Sequence, residues 1–281
     1  SPHRPPPLLA LPPLHTRYRF TLNTFDAGST LLSDSSWGED FCQDLNSDCG
    51  MTAHFVSDDA FVHKSSIHCR GYRPFFDIAM PLPTDWRWVK SAPHSAGIRL
   101  RARLLRSGSS RLSGDVRSLL LFFKGGKTDS GLRHELVKLH NPTRGIIAVG
   151  SDDTEWPYGA SMQDSRFAAA PRGAGLDSYR LSEVMQYGCI PVIIADGYVP
   201  PFASLLDWRK FSIAVGEGSI ETLPVILAAI STGARVRMAR HSALVWEEFL
   251  SSKQRIAAVA LAVLQRNIER AKTHFAPDQH C

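Results

Sequence analysis

The 281-residue chain has no C-x-x-C pair, so its five cysteines do not read as a structural zinc site. It has no apolar run long enough to cross a bilayer and no signal peptide. Its eleven histidines lack the paired spacing and carboxylate of a helical zinc site, as His134 with Lys138 and His63 with His68 show. The arginine-rich stretch from Ile98 to Arg117 contains no aromatic residue for base stacking, which argues against nucleic acid and for a solvated inter-domain segment. Lys124-Gly125-Gly126-Lys127-Thr128 lacks the glycine of a P-loop, because the position five residues before Gly126 is Leu121. No metal site is expected.

Apolar content of 43% supports a sizeable core, in one large or two small domains. The net charge of +5 suits an anionic ligand. Cys42 and Cys49 either close a small disulfide loop in an oxidising lumen or remain free thiols. A chain that begins at Ser1 is read as a fragment or processed form whose anchor, if any, is absent.

The most informative stretch runs from Ser165 to Asp196. Phe167 to Ala170 is an apolar run ended by Pro171, and Arg172-Gly173-Ala174-Gly175 is a loop that lets backbone approach a ligand. Asp177 or Ser178 is an N-cap, Gly188 a left-handed helix stop, and Cys189 to Ala195 a strand buried on both faces. A glycine loop feeding a helix start binds phosphate readily, and Ser178, Arg180 and Glu183 decorate that start. From spacing alone, an ordinary capped helix with an Arg–Glu surface pair is as good a reading.

Pro171 to Gly173, Ser178 to Glu183, Gly188 to Ile194, Pro201-Phe202 and Leu206 to Trp208 together resemble the C-terminal signature of the exostosin-like glycosyltransferases. The stretch from Cys69 to Pro81 resembles a further family segment, and Asp26-Ala27-Gly28 resembles its Asp-x-Gly loop. The resemblance covers roughly Asp77 to Ile230. It implies an α/β fold of GT-B type, with two Rossmann-like domains facing a cleft, the N-terminal one incomplete. The implied reaction is inverting transfer of a sugar, from a nucleotide-sugar (a UDP-sugar) to a glycan or glycoprotein acceptor. Arg133 and Arg180 would then neutralise the diphosphate, Arg172, Gly173 and Ser178 would line the same donor site, and Glu183 would take the ribose. No divalent metal or other cofactor is demanded by such chemistry. The family also implies Golgi residence as a type II membrane protein, and a homo- or heterodimer.

The chain departs from the family at Ala174, where an Asp is common, and in lacking the usual first-domain motifs. A catalytically inactive nucleotide-sugar-binding or partner-stabilising module of the same fold is therefore the alternative. Asp26 is the candidate general base, and equally a plain turn residue. Arg70, Arg73 and Asp77 either face a sugar or form a buried structural pair, the second being preferred.

The expected organisation is a proline-rich linker (1–16), a partial acceptor-side domain (17–110) and a nucleotide-sugar-binding domain (111–281). Strands are expected at Tyr18 to Leu22, Ser118 to Phe123, Gly145 to Val149 and Lys210 to Val215, while Ala53 to Val62 alternates only weakly. Helices are expected at Gly131 to His140, Ser219 to Ile230 and Ala243 to Lys272, the last with Ala257, Ala260, Val263 and Leu264 on its apolar face.

Overall fold

A computed structural model describes residues 20–23, 53–56, 78–81, 117–126, 131–173 and 176–274, with backbone alone at 20–23, 53–56 and 271–274. Asp26, Cys42, Cys49, Arg70, Arg73, Asp77, Ala174 and Gly175 lie outside the described residues.

Apolar runs become strands of two parallel sheets. The smaller contains β1 (Phe20–Asn23), β2 (Ala53–Val56) and β3 (Ile78–Ala79), paired in that order. The larger contains β4 (Leu119–Gly125), β5 (Ile146–Gly150), β6 (Ser165–Pro171), β7 (Ile190–Ile194) and β8 (Ile213–Ala214), in the spatial order β5-β4-β6-β7-β8. β7 is buried along its whole length, as its unbroken apolar sequence demands. It accommodates Pro191, which donates no hydrogen bond, because β8 begins opposite Val192.

Helices cover both faces of the larger sheet. On one face, α1 (Leu132–Val137) buries Leu132 and Leu136 against Leu121, Phe123, Ile146 and Ala169. On the other, α3 (Tyr179–Gln186) buries Val184 against Phe122, Ile147 and Ala168, beside Met162 of α2 (Tyr158–Gln163). Strand residues of opposite parity feed the two faces, as the pleat requires. The chain continues through α4 (Leu223–Ala229), α5 (Thr232–Val245) and α6 (Lys253–His274).

Several elements differ from the sequence reading. The helix expected from Gly131 to His140 stops at Val137. It tightens into i→i+3 bonds, Leu139 amide to Leu136 carbonyl (3.0 Å) and His140 amide to Val137 carbonyl (3.1 Å), before Pro142 holds Asn141 out of the helical region. Ser219 to Ile230 divides: a 3-10 segment containing a non-helical Ser219 precedes α4, which begins just before Pro224. The expected strand at Lys210 to Val215 contracts to β8, with Trp208–Lys210 forming a 3-10 turn. Ala243 to Lys272 is broken: a π-turn at Trp246–Leu250 ends α5, and the Ser252 hydroxyl caps a new helix by accepting from the Arg255 amide at 3.2 Å. On α6, Ala260, Val263 and Leu264 are buried as expected, whereas Ala257 is exposed. The short helix α2 and most of α5 were not anticipated; α5 carries three arginines and buries only part of its length.

Arg117 is not solvated. It is buried and donates to the Ser165 carbonyl at 3.1 Å and the Gly188 carbonyl at 2.9 Å, tying β6 to the end of α3. The smaller sheet also reaches the larger unit's core. Ile78 of β3 is buried with Ala170, Leu181, Phe202, Trp208 and Trp246, and the Ala79 carbonyl accepts from the Phe202 amide at 2.9 Å. Phe202 makes that bond from a left-handed backbone, φ 53°. The Trp208 indole donates to the Pro201 carbonyl at 2.8 Å, so the two ends of the Pro-Phe to Asp-Trp stretch close on each other.

Candidate active site

From β4 the chain crosses to β5 on one side; from β6 it crosses to β7 on the other. Neighbouring strands β4 and β6 are therefore the topological switch point, where open parallel sheets form a crevice beyond their carboxyl ends. β4 ends at Gly125 and runs into Gly126, and β6 runs into Arg172-Gly173, the two glycine-bearing connections singled out in the sequence.

Arg133 and Arg180 enter this crevice from the two helices that leave it. Arg133, in the first turn of α1, reaches across the switch point toward the Gly126 carbonyl (3.4 Å) and the Arg172 carbonyl (3.5 Å). Both contacts are long. Its buried Nε has no hydrogen-bond partner, and among the described residues no carboxylate pairs with it. Burial lowers the Arg133 pKa below the ordinary arginine value, and the charge of Arg180 lowers it further.

Arg180 is held tightly. Its Nη1 donates to the Lys124 carbonyl at 2.6 Å, and its Nε pairs with Glu183 Oε2 at 3.3 Å. Its guanidinium lies 5.0 Å from the centre of the Tyr158 ring and 5.7 Å from that of Phe123. At 16% and 31% side-chain exposure, Arg180 and Glu183 are more than the surface pair that spacing alone allowed. Gly125 makes room for this packing, since a Cβ there would come within 2.9 Å of the Phe123 ring and 3.5 Å of Arg180 Nη2.

Ser178 caps α3: its hydroxyl accepts from the Arg180 amide at 3.3 Å while its own amide donates to Asp177 Oδ1 at 2.6 Å. The loop is pinned further where the Gly173 amide donates to the Asp177 carbonyl (3.1 Å) and the Tyr198 hydroxyl to Asp177 Oδ1 (2.9 Å). Arg172 donates from Nε to Glu217 Oε1 at 2.7 Å. The same oxygen accepts from the Asp196 amide at 3.2 Å, so Arg172 joins the loops that follow β6, β7 and β8. Its carbonyl, rather than its guanidinium, is what faces Arg133.

The structure thus brings Arg133, Arg180, Glu183 and Ser178 to one crevice, with Arg172 and Gly173 shaping its rim. Asp26 lies outside the described residues. Lys124 Nζ donates to the carbonyls of Asp153 (2.6 Å) and Trp156 (2.9 Å), whereas Lys127, the lysine a P-loop would use, lies outside the described residues. Tyr158 was missed by sequence reasoning. Its hydroxyl donates to Glu183 Oε2 at 2.6 Å, and it follows a turn-rich stretch, Gly150 to Pro157, that gave no hint of this contact. Among the described residues, no three His, Cys, Asp or Glu side chains group as a metal site.

The family model described as the Exostosin GT47 domain matches residues 32–230. Exostosin-1a of Danio rerio is 25% identical over 268 residues, which is 86% of this chain and 34% of the relative. Exostosin-2 of Mus musculus is 31% identical over 197 residues, 69% of this chain and 27% of the relative. The chain spans about a third or less of the length of these curated relatives. A crystal structure of Anabaena HepE in complex with UDP aligns with 83% of this chain and 74% of its own, at 13% identity and a TM-score of 0.40, a likeness too loose to carry an argument. With the family model spanning well over half of its residues, the chain belongs to the exostosin GT47 domain family.

Proposed function

We propose that this chain carries the donor site of a glycosyltransferase that takes a sugar from a nucleotide-sugar, a UDP-sugar, and inverts its configuration on transfer to a glycan or glycoprotein acceptor. The observation that supports this reading most is the convergence of Arg133 and Arg180 at the switch point, with Arg133 half-buried and facing a second cation. Two guanidiniums in one crevice are electrostatically unfavourable alone and complementary to a diphosphate. In the reaction they would stabilise negative charge as it develops on the departing nucleoside diphosphate. The amino end of α3 would add its dipole, with Ser178 donating a hydroxyl proton. Glu183, whose Oε2 is engaged by Tyr158 and Arg180, would accept a ribose hydroxyl through Oε1.

The acceptor side is assigned to the N-terminal part of the chain, with Asp26 as general base. Golgi residence and pairing with a second exostosin-like chain belong to the same reading.

Calorimetric titration with UDP, with ATP as the control, tests the donor site. UDP is expected to bind and ATP not. Arg133→Ala and Arg180→Ala are each expected to weaken UDP by at least tenfold, about 1.4 kcal/mol. Unchanged affinity in both variants overturns the assignment. UDP binding in a chain that transfers no sugar from any UDP-sugar to any acceptor would favour the non-catalytic binding module.

A further inference from the structure

We propose that Tyr158 is a positioning residue that fixes the Glu183 carboxylate and, through it, aims the Arg180 guanidinium into the crevice. Three contacts converge on this arrangement. The Tyr158 hydroxyl donates to Glu183 Oε2 at 2.6 Å, the same oxygen that faces Arg180 Nε at 3.3 Å, and the Tyr158 ring lies under the guanidinium at 5.0 Å. One side chain therefore holds both members of an ion pair, the carboxylate by its hydroxyl and the cation by its π face. Tyr158 is itself locked, packing edge-on against Phe122 at 5.8 Å and against Tyr187 at 6.4 Å between ring centres.

The geometry matters because Glu183 has two competing uses. An Arg–Glu pair free to collapse would fold the guanidinium onto its own helix and remove it from the anion site. Tyr158 holds Glu183 Oε2 in place by donating its hydroxyl to that oxygen. That leaves Arg180 Nη1 to seek the Lys124 carbonyl at the end of β4, at 2.6 Å, which is the orientation that places it at the switch point. Desolvation keeps the Tyr158 phenol protonated well above the ordinary tyrosine range, so the hydroxyl remains a donor throughout neutral pH.

The affinity arm of the test rests on the donor-site reading; the structural arm does not. Tyr158→Phe keeps the ring and removes only the hydroxyl, so it preserves the packing with Phe122 and Tyr187. Proton–nitrogen spectra of the arginine Nε–H groups, with the Arg180 signal assigned from Arg180→Lys, report the pair directly in the full chain. The Arg180 Nε–H signal is expected to be protected from solvent exchange in the parent protein and to exchange at least several-fold faster in Tyr158→Phe. UDP affinity is expected to fall about three- to tenfold in Tyr158→Phe. The losses from Tyr158→Phe and Glu183→Gln should be less than additive, because both changes break one linked pair. Unchanged Arg180 exchange in Tyr158→Phe overturns the proposal, as does strict additivity of the two affinity losses. A parent chain that fails to bind UDP overturns the donor assignment instead, and the exchange measurement then decides alone whether Tyr158 holds Arg180.

Discussion

Tyr158 and Tyr187 flank Glu183 near the switch point, and both phenols are harder to ionise than a free tyrosine. For Tyr158 burial is the main cause, opposed by the Arg180 charge and reinforced by Glu183; for Tyr187 burial again leads, with Glu183 adding to it. Both folded values lie above the unfolded value of about 10, so the unfolded chain releases these protons first. The stability they contribute is complete below about pH 10 and falls as pH rises toward the folded values. Urea denaturation across about pH 9 to 11 should show stability falling as the pH rises above the unfolded value. Tyr158→Phe should remove its share of that slope. An unchanged slope in the variant would mean that Tyr158 ionises no less easily folded than unfolded. At this scale the two cations were singled out through the family resemblance, which puts Arg133 and Arg180 at helix starts after glycine-bearing strand ends; spacing alone left an ordinary capped helix as good a reading. Tyr158 was not legible: its partner Glu183 lies 25 residues away, and a six-residue helix shows no hydrophobic period to announce itself.

The helix α3 shows what local chemistry fixes. Its start is written by Ser178, which caps it, and its end by Gly188, which adopts φ 77°. A residue with a Cβ pays a steric cost of about 1–2 kcal/mol in that region. Gly188→Ala is therefore expected to destabilise the fold by about 1 kcal/mol or more in chemical denaturation, and a loss near zero would show that the helix end can relax. The effect should reach beyond the helix, because the Gly188 carbonyl accepts from buried Arg117. The strands were readable for a different reason. A parallel strand covered on both faces has to be continuously apolar, and Ile190–Ile194 and Leu119–Gly125 are nearly so. The C-terminal helices were harder. The break between α5 and α6 lies inside a run of good helix formers, and what decides it is the π-turn that buries Trp246 and Leu250, a tertiary effect with no local marker except Ser251-Ser252.

For the whole molecule, the informative residue is Ile78. Sequence organisation placed it in the N-terminal unit, and by strand pairing it belongs there, yet its side chain is only 1% exposed within the core that joins α3, Trp208 and α6. Ile78→Ala is expected to cost about 2–5 kcal/mol, as for other fully buried aliphatic side chains. If thermal unfolding followed by calorimetry showed no change in the transition of the C-terminal unit, the contact would be dispensable to it. Composition could not reveal this sharing, since a two-residue strand carries too little pattern. Its consequence is easiest to see as binding rather than folding. Sever the chain after Pro81, and the piece ending in β3 becomes a peptide ligand for the C-terminal unit: an isoleucine seated in an aromatic-lined socket and a carbonyl hooked on Phe202. The severed halves should then co-purify, and a synthetic peptide spanning the strand should compete for the socket.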